Sequence, residues 1–157
     1  MNLFMQESQR QNNVQIKKAD ITHAKDIHDI EKHTFQHPLD ESFIIQELSD
    51  NPFARYFVLE VSDNIIGYIG YRVVDEHAEM MNVAIKKTHQ HQGYGKQLLK
   101  DTLEEIKNMN VKYVTLEVRP SNTHAIHLYE ALQFKKTSIR KGYYQNEDAL
   151  VYTKEMI

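Results

Sequence analysis

The chain has 157 residues, 19 Lys and Arg against 22 Asp and Glu, a formal net charge of -3, and neither cysteine nor tryptophan. Its length fits one domain with one core; the missing thiols exclude disulfides, thiolate metal sites and a cysteine nucleophile, and the mild acidity excludes a nucleic-acid binder that relies on a basic field. No run approaches the ~20 apolar residues of a membrane span and no basic-then-apolar leader opens the chain, so a cytoplasmic protein without a membrane partner is expected.

Residues 1–13 are rich in Gln and Asn and lack a sustained period, which reads as a loose extension. Val14 and Ile16 alternate with polar neighbours as in a short strand. Asp20 is placed to cap a helix whose apolar positions are Ile21, Ala24, Ile27 and Ile30. A shorter helix is predicted over Ser42 to Leu48, followed by strands over Ala54 to Val61, Ile65 to Val73 and Ala78 to Ile85, with Asp63-Asn64 as a tight turn. Leu98, Leu99, Thr102, Leu103 and Ile106 then recur at helical spacing. Val111 to Val118 reads as a strand, Ser121 or Asn122 as a cap, and the next helix runs to about Leu132. Phe134 to Ile139 and Ala149 to Lys154 read as a closing strand pair. The order implies a mixed α/β (α+β) sheet in a single domain, residues 14–157.

Two constellations carry chemistry. Gln90, His91, Gln92, Gly93, Tyr94, Gly95 and Lys96 sit between a strand and an amphipathic helix. A helix N-terminus offers unpaired N–H groups and a positive dipole end, which suit an anion. Glycines let backbone approach a ligand closely, and Lys86, Lys87 and Lys96 add positive charge. The spacing matches neither a P-loop nor a dinucleotide fingerprint, and by itself it also fits an ordinary tight connection.

The second is Glu117, near the end of a strand, with Asn122 and Tyr129 after it. Asn122 and Tyr129 are seven apart, two turns on one helical face. Acyl transfer to an amine needs a base for the attacking nitrogen and an acid for the leaving group. At neutral pH roughly a tenth of α-amines are already neutral, against less than a thousandth of lysine amines, so a carboxylate suits an α-amine better. A tyrosine can protonate a departing thiolate. The alternatives at these positions are a solvated strand face for Glu117, a core edge for Tyr129 and a plain cap for Asn122.

Strand, Gln90-x-x-Gly93-x-Gly95, helix resembles the coenzyme A signature of the GNAT acetyltransferases, and LEVRPSNTHAIHLYEALQF with IRKGYY and Glu147-Asp148-Ala149-Leu150 resembles the RimI-type ribosomal-protein alanine N-acetyltransferases within them. The likeness runs from about Val14 onwards and is densest from Asn82 to Tyr144. It implies a GNAT fold: a mixed, mostly antiparallel sheet splayed at the cofactor site, with helices on both faces. It implies acetyl-CoA as cosubstrate, contacted by Val83, Ala84 and Ile85, by His91 to Lys96 and by Asn122. It implies Glu117 as general base, Tyr129 as general acid, and a protein N-terminal amine as acceptor, most closely the alanine of a small-subunit ribosomal protein. Without cysteine, direct attack in a ternary complex is expected. Two other readings share these residues: acetylation of a lysine or small amine, and a non-catalytic coenzyme A-binding regulator, for which Glu117 and Tyr129 would be superfluous.

The chain departs from the pattern in three places. His37-Pro38-Leu39-Asp40 stands where relatives often have Pro-Trp-Ser, His91 stands where arginine is common, and the extension has no family counterpart. Asp75, Glu76 and Glu79 are read either as a solvated loop or as an attraction for a basic peptide; Tyr143 and Tyr144 either as packing or as lining of an acceptor channel. The histidines include no H-E-x-x-H or complete ligand set, so no metal is expected. The chain is expected to be a monomer or weak homo-oligomer.

Overall fold

A computed structural model of the chain describes residues 13–156. The proposed extension lies outside the described residues apart from Asn13, whose carbonyl accepts from the Ser62 N–H at 3.1 Å. Seven strands and four α-helices lie among the described residues. The sheet order is β1-β2-β3-β4-β5-β7-β6, a mixed, mostly antiparallel arrangement. The chain parts into two compact units, residues up to Gly70 with Asn82–Leu99, and Tyr71–Met81 with Lys100 onwards.

In the first unit, β1 (Val14–Lys18) pairs antiparallel with β2 (Ala54–Val61), from Val14 opposite Val61 to Lys18 opposite Phe57. Asp20 does cap, but what it caps is a 3-10 turn, Ile21–His23. Its carboxylate accepts from the Thr22 N–H at 2.9 Å, and the His23 ring returns a bond to the Asp20 N–H at 3.0 Å. This is a capping box with His in the place usually held by Glu or Gln. The α-helical period therefore starts only at Ala24, in α1 (Ala24–Thr34). Ile21 stays 53% exposed, so the structure removes it from the predicted core.

Ala24, Ile27 and Ile30 of α1 pack with Ile44 of α2 (Glu41–Ser49), with Tyr56 and Val58 of β2, and with Tyr68 of β3 (Asn64–Val74). Glu31 of α1 is buried with them and faces the Tyr68 hydroxyl; desolvation raises its carboxyl. The β2–β3 turn centres on Ser62 and Asp63, one residue earlier than predicted. Both hold positive φ, 49° and 66°, as a two-residue primed turn requires.

β4 (His77–Ile85) and the helix α3 (Tyr94–Lys107) contribute to both units. Leu98, Leu99, Thr102, Leu103 and Ile106 are all buried, as the spacing predicts. In the second unit β4 runs parallel to β5 (Tyr113–Val118) through His77–Tyr113, Ala78–Val114 and Glu79–Thr115. That register ends at Glu79, while both strands continue beyond it. β5 begins two residues later than predicted: Val111 is buried outside it, and the Lys112 N–H donates to the Glu76 carbonyl at 2.7 Å. β7 (Ala149–Glu155) pairs antiparallel with β5 on one side and β6 (Lys135–Arg140) on the other.

Gly70 is fixed by what lies over it. A Cβ there would stand 2.5 Å from Tyr56 Cε1 and 2.8 Å from its Cζ. The ring cannot yield easily, because it stacks on Tyr68 and its hydroxyl donates to the buried Glu47 at 3.2 Å. Overpacking of this kind costs about 1–3 kcal/mol, more than the ~0.4–1 kcal/mol gained by restricting the unfolded chain. Gly70→Ala is expected to lower stability by about 1–2 kcal/mol, read as a fall in the urea midpoint at unchanged slope.

Candidate active site

Of the predicted site residues, Val83 to Ile85 and His91 to Lys96 lie in the first unit, and Glu117, Asn122 and Tyr129 in the second. Val83, Ala84 and Ile85 end β4, and the chain then passes through Lys86, a 3-10 turn at Lys87–His89 and the loop to α3. The Lys86 N–H donates to the Ile66 carbonyl at 2.7 Å and the Gln90 side chain donates to the Ile85 carbonyl at 2.9 Å, so the loop is tied to the strand it leaves. His91 (φ 61°) and Gly93 (φ 84°) both take the left-handed conformation that turns the chain into α3. For a histidine this costs roughly 1–2 kcal/mol. Nothing lies within 4 Å of where a Gly93 Cβ would be.

The first rung of α3 runs from the Gln97 N–H to the Gly93 carbonyl at 3.1 Å. The amides of Tyr94, Gly95 and Lys96 precede that ladder, at the positive end of a 14-residue helix. His91, Gln92, Gly93 and Lys96 are exposed. Open space over Gly93, a long helix and a nearby lysine fit a diphosphate.

In the second unit Glu117 is the penultimate residue of β5, with 17% of its side chain exposed. Its carboxylate accepts from the guanidinium of Arg140 on β6, and it raises the Tyr143 phenol. The strand registers explain the first contact. Glu117 is opposite Val151 of β7, and Val151 is opposite Ser138 of β6. Paired residues share a face, and so does Arg140, two residues after Ser138. A bulge between Lys136 and Ser138 makes this possible. Without it β6 would slip by one residue and Arg140 would point to the other face. Thr137, the extra residue, donates to the Val151 carbonyl at 3.3 Å and bonds the Thr153 hydroxyl at 2.9 Å.

The loop between β6 and β7 extends this cluster. Arg140 lies over the Tyr143 ring at 4.5 Å and Arg119 over the Tyr144 ring at 4.1 Å, with the two rings edge to face at 5.1 Å. Each such contact is worth about 0.5–1 kcal/mol at an exposed site. Arg119 donates to Asn146 at 2.7 Å, the Ser121 hydroxyl donates to Glu147 at 2.5 Å, and the Gly142 N–H donates to Asp148 at 2.8 Å. Hydrogen bonding to Glu117 raises the Tyr143 phenol; burial, then the Glu117 charge, raises that of Tyr144.

Tyr129 is in the last turn of α4 (Thr123–Ala131), half-buried, its ring 6.0 Å from Phe134. Burial, with a smaller contribution from Tyr144, pushes its phenol up to about 12. It therefore keeps its proton at any working pH. Asn122 is the N-cap of α4, and its Oδ1 accepts from the Ala125 N–H at 3.2 Å. Its backbone is not helical (φ -85°, ψ 69°), so the seven-residue spacing does not put it on the helical face of Tyr129. No local signal in the sequence joins Arg140 to Glu117, because the two meet across β7.

A model of the GNAT acetyltransferase family matches residues 24–134. The chain belongs to the GNAT acetyltransferase family. The match crosses both compact units. A Bacillus subtilis protein, provisionally assigned as a ribosomal protein bS18-alanine N-acetyltransferase, is 35% identical over 87% of this chain and 89% of its own length. The Escherichia coli K12 ribosomal protein bS18-alanine N-acetyltransferase is 34% identical over 64% of this chain and 69% of its own. The crystal structure of the E. coli ribosomal-protein-S18-alanine N-acetyltransferase superposes with a TM-score of 0.86 at 28% identity, covering 91% of this chain and 94% of that one. This GNAT protein is thus an acetyl-CoA-dependent N-acetyltransferase of the RimI-like kind.

The cap role of Asn122 separates from any other it has. Asn122→Ala is expected to lower stability by about 1 kcal/mol, while Asn122→Asp keeps the cap and holds stability within a few tenths. Thermal unfolding of the two variants reads this directly.

Proposed function

We propose that the protein acetylates the N-terminal α-amine of a small-subunit ribosomal protein, its N-terminal alanine, in the bacterial cytoplasm. Support for the acceptor comes from the relatives named for that substrate, above all the one matched over 87% of this chain. The observation that carries the chemistry is the presence, in one compact unit, of an ion-paired carboxylate at the end of β5 and a buried tyrosine whose phenol is pushed up to about 12.

In this reading the amine attacks the thioester carbonyl directly, in a ternary complex, within one domain running from Val14 to the C-terminus. Glu117 accepts a proton from the attacking nitrogen, and the N–C bond forms. The tetrahedral intermediate collapses, the C–S bond breaks, and the Tyr129 hydroxyl gives its proton to the leaving sulfur. A free thiol has a pKa near 8.5, well below that of Tyr129, so transfer to a solvated thiolate would run uphill. Burial disfavours a thiolate as it disfavours a phenolate, which narrows the gap where the transfer happens. Acetyl-CoA supplies the activated acyl group. The amides of Tyr94, Gly95 and Lys96, with His91 to Gly93, would hold its diphosphate, and Val83, Ala84 and Ile85 with Asn122 the rest of the coenzyme.

The assay is coenzyme A release with mass spectrometry of the product, on a peptide with a free N-terminal alanine and on an N-blocked lysine peptide. The first is expected to turn over and the second not. Tyr129→Phe and Glu117→Gln are each expected to lose roughly 10²–10⁴-fold in kcat, the usual range for a general acid or base. Turnover on the lysine peptide alone would refute the acceptor. Accumulation of acetylated enzyme without acceptor would refute direct attack.

A further inference from the structure

Glu117 does not stand alone, and its partners form one connected cluster. Arg140 from β6 donates to its carboxylate, and the carboxylate raises the Tyr143 phenol. The same guanidinium lies over the Tyr143 ring at 4.5 Å. A planar guanidinium can stack on a ring and donate in its plane at the same time, which an ammonium cannot. Tyr143 in turn meets Tyr144, which carries Arg119 on its face. The other charges that act on this cluster are Glu79 of β4, which attracts Arg140 more weakly than Glu117 does, and Glu147, beside Tyr144. Arg140 is 55% exposed at its side chain against 17% for Glu117, so the arginine covers the carboxylate from the solvent side.

We propose that Arg140 is a positioning residue for the reaction: it fixes the direction of the Glu117 carboxylate and sets the pH at which the bound acceptor amine gives up its proton. This rests on Glu117 being the base. An amine arriving at a lone carboxylate would be held as an ammonium, because an opposite charge favours the charged form. Such an ammonium cannot attack. Arg140 already balances the Glu117 charge, and as a like charge it disfavours a second cation beside it. The acceptor amine is thereby kept neutral at a lower pH than a lone carboxylate would allow. The bulge at Thr137 belongs to the device, since it turns Arg140 onto the Glu117 face.

The test compares pH profiles of kcat on the N-terminal alanine peptide for wild type, Arg140→Gln and Arg140→Lys. Arg140→Gln is expected to move the acid limb upwards by about half a pH unit or more, as for one unit charge removed at about 5 Å in a watery environment. Arg140→Lys, which keeps the charge but not the fork, is expected to bring the limb back while leaving kcat reduced. A second readout needs no turnover. In the free protein, NMR titration of the Tyr143 phenol should fall in Glu117→Gln and rise in Arg140→Gln.

An acid limb that stays in place while Arg140→Gln slows the reaction equally at every pH would reduce Arg140 to a structural part and overturn the inference alone. A Tyr143 titration unmoved in both variants would show that the cluster does not form, and would overturn it as well. Wild-type protein that acetylates no amine would remove Glu117 as base and take this inference with it.

Discussion

The last strand of the chain, β7, lies between β5 and β6, and its two registers decide which side chains meet at the end of β5. Glu117 is opposite Val151, and the bulge at Thr137 turns Arg140 to the same side. Because side chains alternate with a period of two, a one-residue slip would send Arg140 to the opposite face. The ion pair, the stacking of Arg140 on Tyr143 and the presentation of the β6–β7 loop all follow from that count. β6 is exposed along its whole length and carries Lys135, Lys136 and Arg140. Charge and a bulge on an edge strand also blunt it against pairing with another chain. One local irregularity thus serves both the edge and the site.

The loop before α3 is built on another principle. Its fitness for a diphosphate comes from main-chain amides and from two left-handed residues, His91 and Gly93. Glycine takes that conformation freely, whereas His91 holds it at a cost, in a loop that Gln90 and Lys86 tie back to the strand and to Ile66. Side-chain identity matters less there than backbone path. At the end of β5 the reverse holds, since the cluster is built from side chains: a carboxylate, two phenols and two guanidinium groups.

Periodicity made the elements legible because each depends on local sequence. The strand over Ala54–Val61 and the buried positions of α3 follow from spacing alone. Ile21 fitted the helical count but sits in a 3-10 turn, because the Asp20 cap ends one residue pattern before the α-helix begins another. Asn122 was legible as a cap, yet its non-helical backbone undoes the spacing argument that linked it to Tyr129. What no window could reveal was non-local: the burial of Glu31 against Tyr68, the clamp of Tyr56 over Gly70, and the meeting of Arg140 with Glu117 across β7. The residues of IRKGYY were visible as a motif, but the bulge that gives the arginine its direction depends on pairing with β7.

A crystal structure with a conjugate joining coenzyme A to the nitrogen of an N-terminal alanine peptide tests whether the loop before α3, Glu117 and Tyr129 act on one substrate. The expected result is the diphosphate on the amides of Tyr94 to Lys96, the conjugated nitrogen within reach of Glu117 directly or through one water, and the sulfur beside the Tyr129 hydroxyl. A conjugate bound with its nitrogen remote from Glu117, or its sulfur remote from Tyr129, would contradict it.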